Sequence, residues 1–297
     1  MVVHVVLNWA FIVAGWGLVA SAPAWWTVSM AIIVVGTRYY SLFIIGHDGL
    51  HRRLFANRRV NDLFNDLLIL GPIGAITRIN NRNHLAHHQY LSTELDPDRH
   101  RHGCFNKTTR PELALFLGGL ASVIQSLRNV FRGDVEGGDE DGPAEPSSYG
   151  LPDAAILAGW QVGLIAGLSG AIGWWAYPAL WLLPVYVFTF LGDNFRSFVE
   201  HSHPEADELA DEHRLITFIS NPVEKMFFAP ANMNYHTAHH LWPSIPYYNL
   251  PRADCEMRGH PLSRTLEWRG SYLGYLWRYY RALPLPECKR EKAVVAE

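Results

Sequence analysis

Cysteine is scarce in this chain, with three in 297 residues: Cys104, Cys255 and Cys288. An odd count with no paired or metal-binding spacing excludes a cysteine-ligated zinc or iron–sulfur centre and fits a reducing compartment. Charge of one sign is lacking as well. A net charge of -3, with no basic stripe interleaved with aromatics, excludes nucleic acid as a partner. No signal-peptide cleavage pattern marks the N-terminal region, where the first apolar stretch reads on into a second and is expected to be retained. What the chain does have is apolar bulk, 49% hydrophobic residues with 11 Trp, and 15 His. Mean hydropathy is only -0.01, so apolar segments must alternate with polar ones.

Four stretches are apolar and long enough to cross a bilayer, which takes about 20 residues per helix. They run over residues 4–21, 25–46, 154–176 and 178–197. Pro23 breaks the first from the second, and Tyr177-Pro178 separates the third from the fourth. Connections so short make two helical hairpins and place both long polar segments, 47–153 and 198–297, on one side. Charge agrees: 12 of the 25 Lys and Arg lie between His47 and Asp153, and 11 beyond Ser197. Under the positive-inside rule that side is the cytoplasm. Trp25, Trp26, Trp174 and Trp175 flank the opposite turns, where interfacial aromatics belong. Arg38 is the lone formal charge of the second stretch, expected to snorkel or to pair with a carboxylate. The competing reading, a soluble protein with four buried core helices, does not account for that charge asymmetry.

Two weaker apolar segments, 63–76 and 113–130, are expected on the membrane surface or against the polar segments. Residues 133–150, with six acids and five glycines, read as a connecting loop, and the charged tail after Cys288 as disordered. One domain spanning residues 1–297 is expected, all-α and integral to the membrane.

Histidine carries the chemistry. His47 and His51 form H-x3-H; His84, His87 and His88 form H-x-x-H-H, and His236, His239 and His240 repeat it. Residues three and four apart share a helix face, so each cluster aims its imidazoles at a common point. Eight imidazoles exceed the positions of one ion, so the reading is a two-metal site. Imidazole suits Zn, Cu, Fe and Ni, and ligand type alone leaves the metal open. The second and fourth stretches both end beside histidines, so the clusters can converge just under the membrane, where ionisable groups mark function.

These motifs, in this order around two hairpins, resemble the integral-membrane fatty acid desaturase superfamily. The likeness extends to the flanks: Gly46-His47-Asp48-Gly49-Leu50-His51 at the first box, Asp96-Pro97-Asp98 after the second, and Leu241-Trp242-Pro243 after the third. It runs from about Trp25 to Pro251. The resemblance implies four transmembrane helices and a cytoplasmic helical cap holding two iron ions, with a ninth ligand matching His201. It also implies O2 as co-substrate. Iron fits where zinc does not, because Zn²⁺ has no redox chemistry for activating O2. Asp48, Asp96, Asp98 and Glu200 are candidate acceptors for the ligands' N–H groups. His203, two residues from His201, points elsewhere on a helix and is expected to be no ligand. His100 and His102 are expected in solvent, and His4, His213 and His260 have no partner spacing.

The expected reaction is removal of two hydrogens from a lipid acyl chain to form a double bond. Hydroxylation, or carotenoid ketone formation or hydroxylation, is the alternative within the superfamily. A membrane zinc hydrolase or metal-handling protein is the alternative outside it, and it leaves half the histidines unexplained. No haem domain is expected after the third box, and electrons are expected from a separate ferredoxin- or cytochrome-type donor with its reductase.

Overall fold

A computed structural model describes residues 1–102, 109–119, 149–203 and 215–283. Helix α1 (Val2–Ser21) stops where Pro23 withholds a backbone donor, and α2 (Trp25–Leu50) restarts at once. The restart is capped by Thr27 Oγ1, which accepts the Ala24 N–H at 3.0 Å. Buried Val5, Asn8, Ile12, Gly15 and Val19 recur every three to four residues and form the stripe of α1 that packs on α2. The other face stays bare, with Val3, Val6, Phe11 and Val13 all more than half exposed. Apolar surface of that extent on a paired hairpin belongs against lipid.

Helix α3 (Arg58–Asn65) is capped by Asn57 and runs on as a π-helical turn, Asp66–Leu70, and a 3-10 turn, Gly71–Ile73. Gly74, at φ +83°, then reverses the chain into α4 (Thr77–Gln89). Asp66 fixes this corner by accepting the Thr77 N–H at 2.6 Å. Segment 63–76 is therefore a bent element. It is divided between exposed Leu63 and Leu67 and buried Ile69 and Leu70.

Of the segment predicted over 113–130, residues 113–119 are described; they belong to α5 (Arg110–Leu117) and the turn after it. Most of 133–150 and the tail after Cys288 lie outside the described residues. Helix α6 (Leu151–Ala171) starts three residues before the predicted boundary, because Asp153 accepts the Gly150 N–H at 2.8 Å and Pro152 fits a first turn. It ends five residues before the predicted one, at a turn through Gly173 with φ +142°.

The fourth apolar stretch is helical but not uniform. It comprises two π-helical segments, Pro178–Leu182 and Val185–Leu191, followed by α7 (Gly192–Glu200). Pro184 removes a ladder donor between them, which is a physical cause for the widened turns. Among the described residues, three helices, α1, α2 and α6, are long and apolar enough to cross a membrane. Close packing, not water exclusion, must hold such helices together in lipid. Gly36 shows how: a Cβ there would overlap the Phe188 ring, so the bare backbone lets the fourth stretch lie directly on α2. Buried Trp181 fills the same seam, edge-on to Tyr39 at 4.8 Å between ring centroids.

The second polar segment departs from a purely helical expectation. Strands β1 (Ile216–Phe218) and β2 (Glu267–Arg269) pair in parallel. Around them lie α8 (Pro222–Phe228), α9 (His236–Leu241), α10 (Leu250–Arg258) and α11 (Tyr272–Ala282). Phe198 of α7, Phe218 of β1 and Tyr272 of α11 form the core of this region.

Candidate metal centre

Three elements carry the histidine boxes to one place. Helix α2 delivers His47 in its last turn and His51 at its C-cap; α4 delivers His84, His87 and His88, and α9 delivers His236, His239 and His240. In both H-x-x-H-H boxes the i and i+4 imidazoles face one way and the i+3 imidazole another. The boxes are used reciprocally. His84 and His88 join His47, His51 and His239 in one group, whereas His236 and His240 join His201 in a second. His87 also meets His201, together with His102. Within each group one ring nitrogen from each histidine lies within 4.8 Å of those of the others.

The nitrogens confront each other at close range. His84 Nε2 lies 2.7 Å from His51 Nε2 and 3.2 Å from His88 Nε2, and His239 Nε2 lies 3.1 Å from His88 Nε2. In the second group His236 Nε2 lies 2.9 Å from His201 Nε2 and 3.1 Å from His240 Nε2. The groups abut, with the His88 and His240 rings 4.1 Å apart. A neutral imidazole has one N–H, so a ring nitrogen facing two others cannot satisfy every lone pair with protons. Bound cations would satisfy them, and the donor set therefore fits metal.

Burial acts in the same direction. First desolvation, then neighbouring imidazoles and basic groups, holds His84, His201, His236, His239 and His240 well below the ordinary histidine range. For the same reason His51 is lowered to about 4 and His88 to about 2. Neutral imidazole is the ligating form, so the fold keeps these side chains ready for metal near neutral pH.

Carboxylates orient the rings. Asp96 Oδ1 accepts from His87 Nδ1 at 2.9 Å, and Asp96 is itself fixed by the backbone N–H groups of Ser92 (2.7 Å) and Asp98 (2.9 Å). Glu200 Oε2 lies 3.3 Å from His236 Nδ1. It also accepts from Arg196 Nη1 at 2.7 Å, while Oε1 accepts from the Tyr272 hydroxyl at 2.6 Å. Arg196 continues to Asp193 at 2.8 Å, and Asp193 to Arg101 at 2.5 Å. A buried chain of alternating charge thus runs from the loop after the second box, through α7, to the third box.

Comparison with known proteins settles which family builds such a centre. The sequence model of the family described as fatty acid desaturase matches residues 23–272. The chain belongs to the fatty acid desaturase family. It is an oxidoreductase by that membership. Relatives include the sn-1 oleoyl-lipid 12-desaturase of Arthrospira platensis, 27% identical over 265 residues, covering 83% of this chain and 72% of the relative. The β-carotene ketolase of Paracoccus sp. is 24% identical over 218 residues, 71% of this chain and 72% of its own. The sn-1 acyl-lipid omega-3 desaturase (ferredoxin) of Nostoc sp. is 24% identical over 242 residues, 74% and 64% respectively.

Within this desaturase-family protein, the nine histidines singled out by sequence all fall in or beside the two groups, and His203 falls in neither. Asp48 accepts the Tyr247 N–H at 2.8 Å, tying α2 to the segment after the third box. Asp98 lies 4.0 Å from Arg101. His4 contacts the Tyr247 hydroxyl. One expectation is corrected: His102 is fully buried, not in solvent. After Asp96-Pro97-Asp98 a 3-10 turn, Arg99–Arg101, carries the chain back inward and seats the ring on His201. No regular box spacing marks His102. The Asp193–Arg196–Glu200 network was also missed, although its i, i+3 and i+4 spacing in an apolar stretch was a usable signal.

Proposed function

We propose that this protein is an O2-dependent di-iron desaturase acting on a lipid acyl chain. The observation that carries the reading is the pair of abutting, buried, nearly all-imidazole groups at the ends of apolar helices. His47, His51, His84, His88 and His239 would hold one iron, and His87, His201, His236 and His240 the other. A pair of irons, when bound, supplies reduction of O2 and removal of hydrogen from unactivated C–H bonds. The balance is a CH2–CH2 unit, O2, two electrons and two protons going to an alkene and two waters. Asp96 and Glu200 would accept hydrogen bonds from the Nδ1–H groups of His87 and His236, fixing each ring with Nε2 toward metal. Tyr272 and Arg196 hold Glu200 in place for that task.

The chain is read as one domain of four spans in two hairpins, with the site in a cytoplasmic cap just below the bilayer. An acyl chain could then reach it without leaving the lipid phase. The electron donor is proposed to be a separate ferredoxin- or cytochrome-type protein, the former in line with the naming of the Nostoc relative. A second reading, carotenoid ketone formation, is favoured by the ketolases among the relatives. A zinc hydrolase would use four of the histidines and leave the rest without a task.

Expression with a reductase system, followed by mass spectrometry of host lipids, separates these. Desaturation removes about 2 Da from an acyl chain, hydroxylation adds about 16 and ketone formation adds about 14. Acyl lipids with no new unsaturation, beside a carotenoid gaining about 14 Da, would replace the first reading with the second.

A further inference from the structure

The two histidine groups are uneven when only the box residues and His201 are counted, five imidazoles against four. His102 lies beside two of those four, His87 and His201. Its side chain is fully buried, and its ring stacks on that of His201 with centroids 4.2 Å apart and planes within 1° of parallel. One of its nitrogens belongs to a mutually close set with nitrogens of His87 and His201, all three residues being buried. The Nδ1 edge of the ring is backed as a ligand's would be. His102 Nδ1 lies 3.3 Å from Ser92 Oγ and 3.9 Å from Asp96 Oδ2, which leaves Nε2 as the nitrogen turned the other way.

Asp96 is the same carboxylate that holds His87, through its other oxygen. One fixed anion thus backs two imidazoles, one from α4 and one from the turn 13 residues after the end of α4. Metal-bound histidines characteristically have a carboxylate or carbonyl behind the distal nitrogen. A histidine kept only for packing needs neither that backing nor two other imidazoles at ligand range.

We propose that His102 is a tenth metal-ligating histidine, completing a five-imidazole set with His87, His201, His236 and His240. The proposal rests on the two-iron reading. With His102 counted, each position would be held by five imidazoles, instead of five at the first and four at the second. His102 therefore limits how many non-protein ligands the second ion accepts.

The test uses the purified full-length chain in detergent micelles, stripped of metal and titrated anaerobically with Fe²⁺ or Co²⁺ alone. Wild type is expected to bind two ions. His102→Ala is expected to weaken one of the two by at least about tenfold and leave the other unchanged, as loss of a group orienting or binding metal does. Equal affinities in wild type and variant would overturn the proposal. Should His102→Ala fold poorly, His102→Asn keeps a polar side chain and serves the same titration. The Co²⁺-loaded wild type gives a readout needing no variant: ten contact-shifted imidazole N–H signals, one per bound ring, support the tenth ligand, and nine overturn it. A wild type that binds one Fe²⁺ or Co²⁺ and no second ion would overturn the two-iron reading itself, and this inference with it.

Discussion

Replacing Asp96 by Asn tests how the second box is held, because the exchange keeps shape and removes charge. Oδ1 serves two donors, His87 Nδ1 at 2.9 Å and the Asp98 N–H at 2.9 Å, whereas Oδ2 serves the Ser92 N–H at 2.7 Å. An asparagine has one oxygen to place. It keeps it where two donors converge, which sets its NH2 against the Ser92 N–H in a buried site. That opposed pair costs about 1–3 kcal/mol as an unsatisfied buried donor. The bond to His87 survives but loses charge assistance, roughly half its strength. Metal affinity at the position served by His87 should then fall by about tenfold, or about 1.4 kcal/mol. Asp96→Ala, which loses both functions, should fall by up to about 100-fold. Anaerobic Fe²⁺ titration reads the affinity, and thermal unfolding of the metal-free protein reads the turn separately. A lowered melting temperature with unchanged iron affinity in both variants would refute the reasoning and leave Asp96 as a turn-former alone.

Glu200→Gln should destabilise the metal-free protein by about 1–3 kcal/mol, because Arg196 keeps Asp193 at 2.8 Å but loses its charged partner Glu200; unaltered unfolding would mean that Asp193 alone satisfies Arg196. Acid should destabilise the metal-free fold. The buried histidines titrate below their unfolded value, so the unfolded chain binds more protons as pH falls through about 6.5 and stability is lost from there downward. Melting temperatures flat from pH 7.5 to pH 5, a window of about 2.5 units around that value, would contradict this. Topology is checked by thiol labelling. Native Cys255, which is exposed, and Thr93→Cys should react from one face of the membrane and Trp174→Cys from the other. Reaction of Cys255 and Thr93→Cys from opposite faces would separate the histidine boxes and end the common site.

The histidine boxes were legible in the sequence because helix periodicity converts a spacing into a direction. Periodicity puts His84 and His88 on one face, but the expectation that a whole box aims at one point is corrected: the i+3 residue His87 turns away to meet His201. Glu200 and Asp96 were legible as acids beside ligands. His102 was not, because its approach depends on the turn after Asp98 and on the packing of α7, neither of which leaves a periodic trace. The limits of α6 were misjudged for a similar reason: hydropathy falls off gradually, but the cap at Asp153 and the turn at Gly173 are abrupt. Pro184 was visible, yet what it does to the fourth stretch depends on tertiary support that restores the turn as a widened one. The two short strands form from residues 51 positions apart, a pairing no local pattern announces.

The central claim is that two groups of buried imidazoles hold two irons. Its most direct test is the metal content of the protein purified from iron-supplied cells, for wild type beside His84→Ala and His240→Ala, one residue from each group. The account predicts about two irons per chain in wild type and about one in each variant, with little zinc in any. One zinc per chain in wild type, unchanged by either substitution, would contradict it.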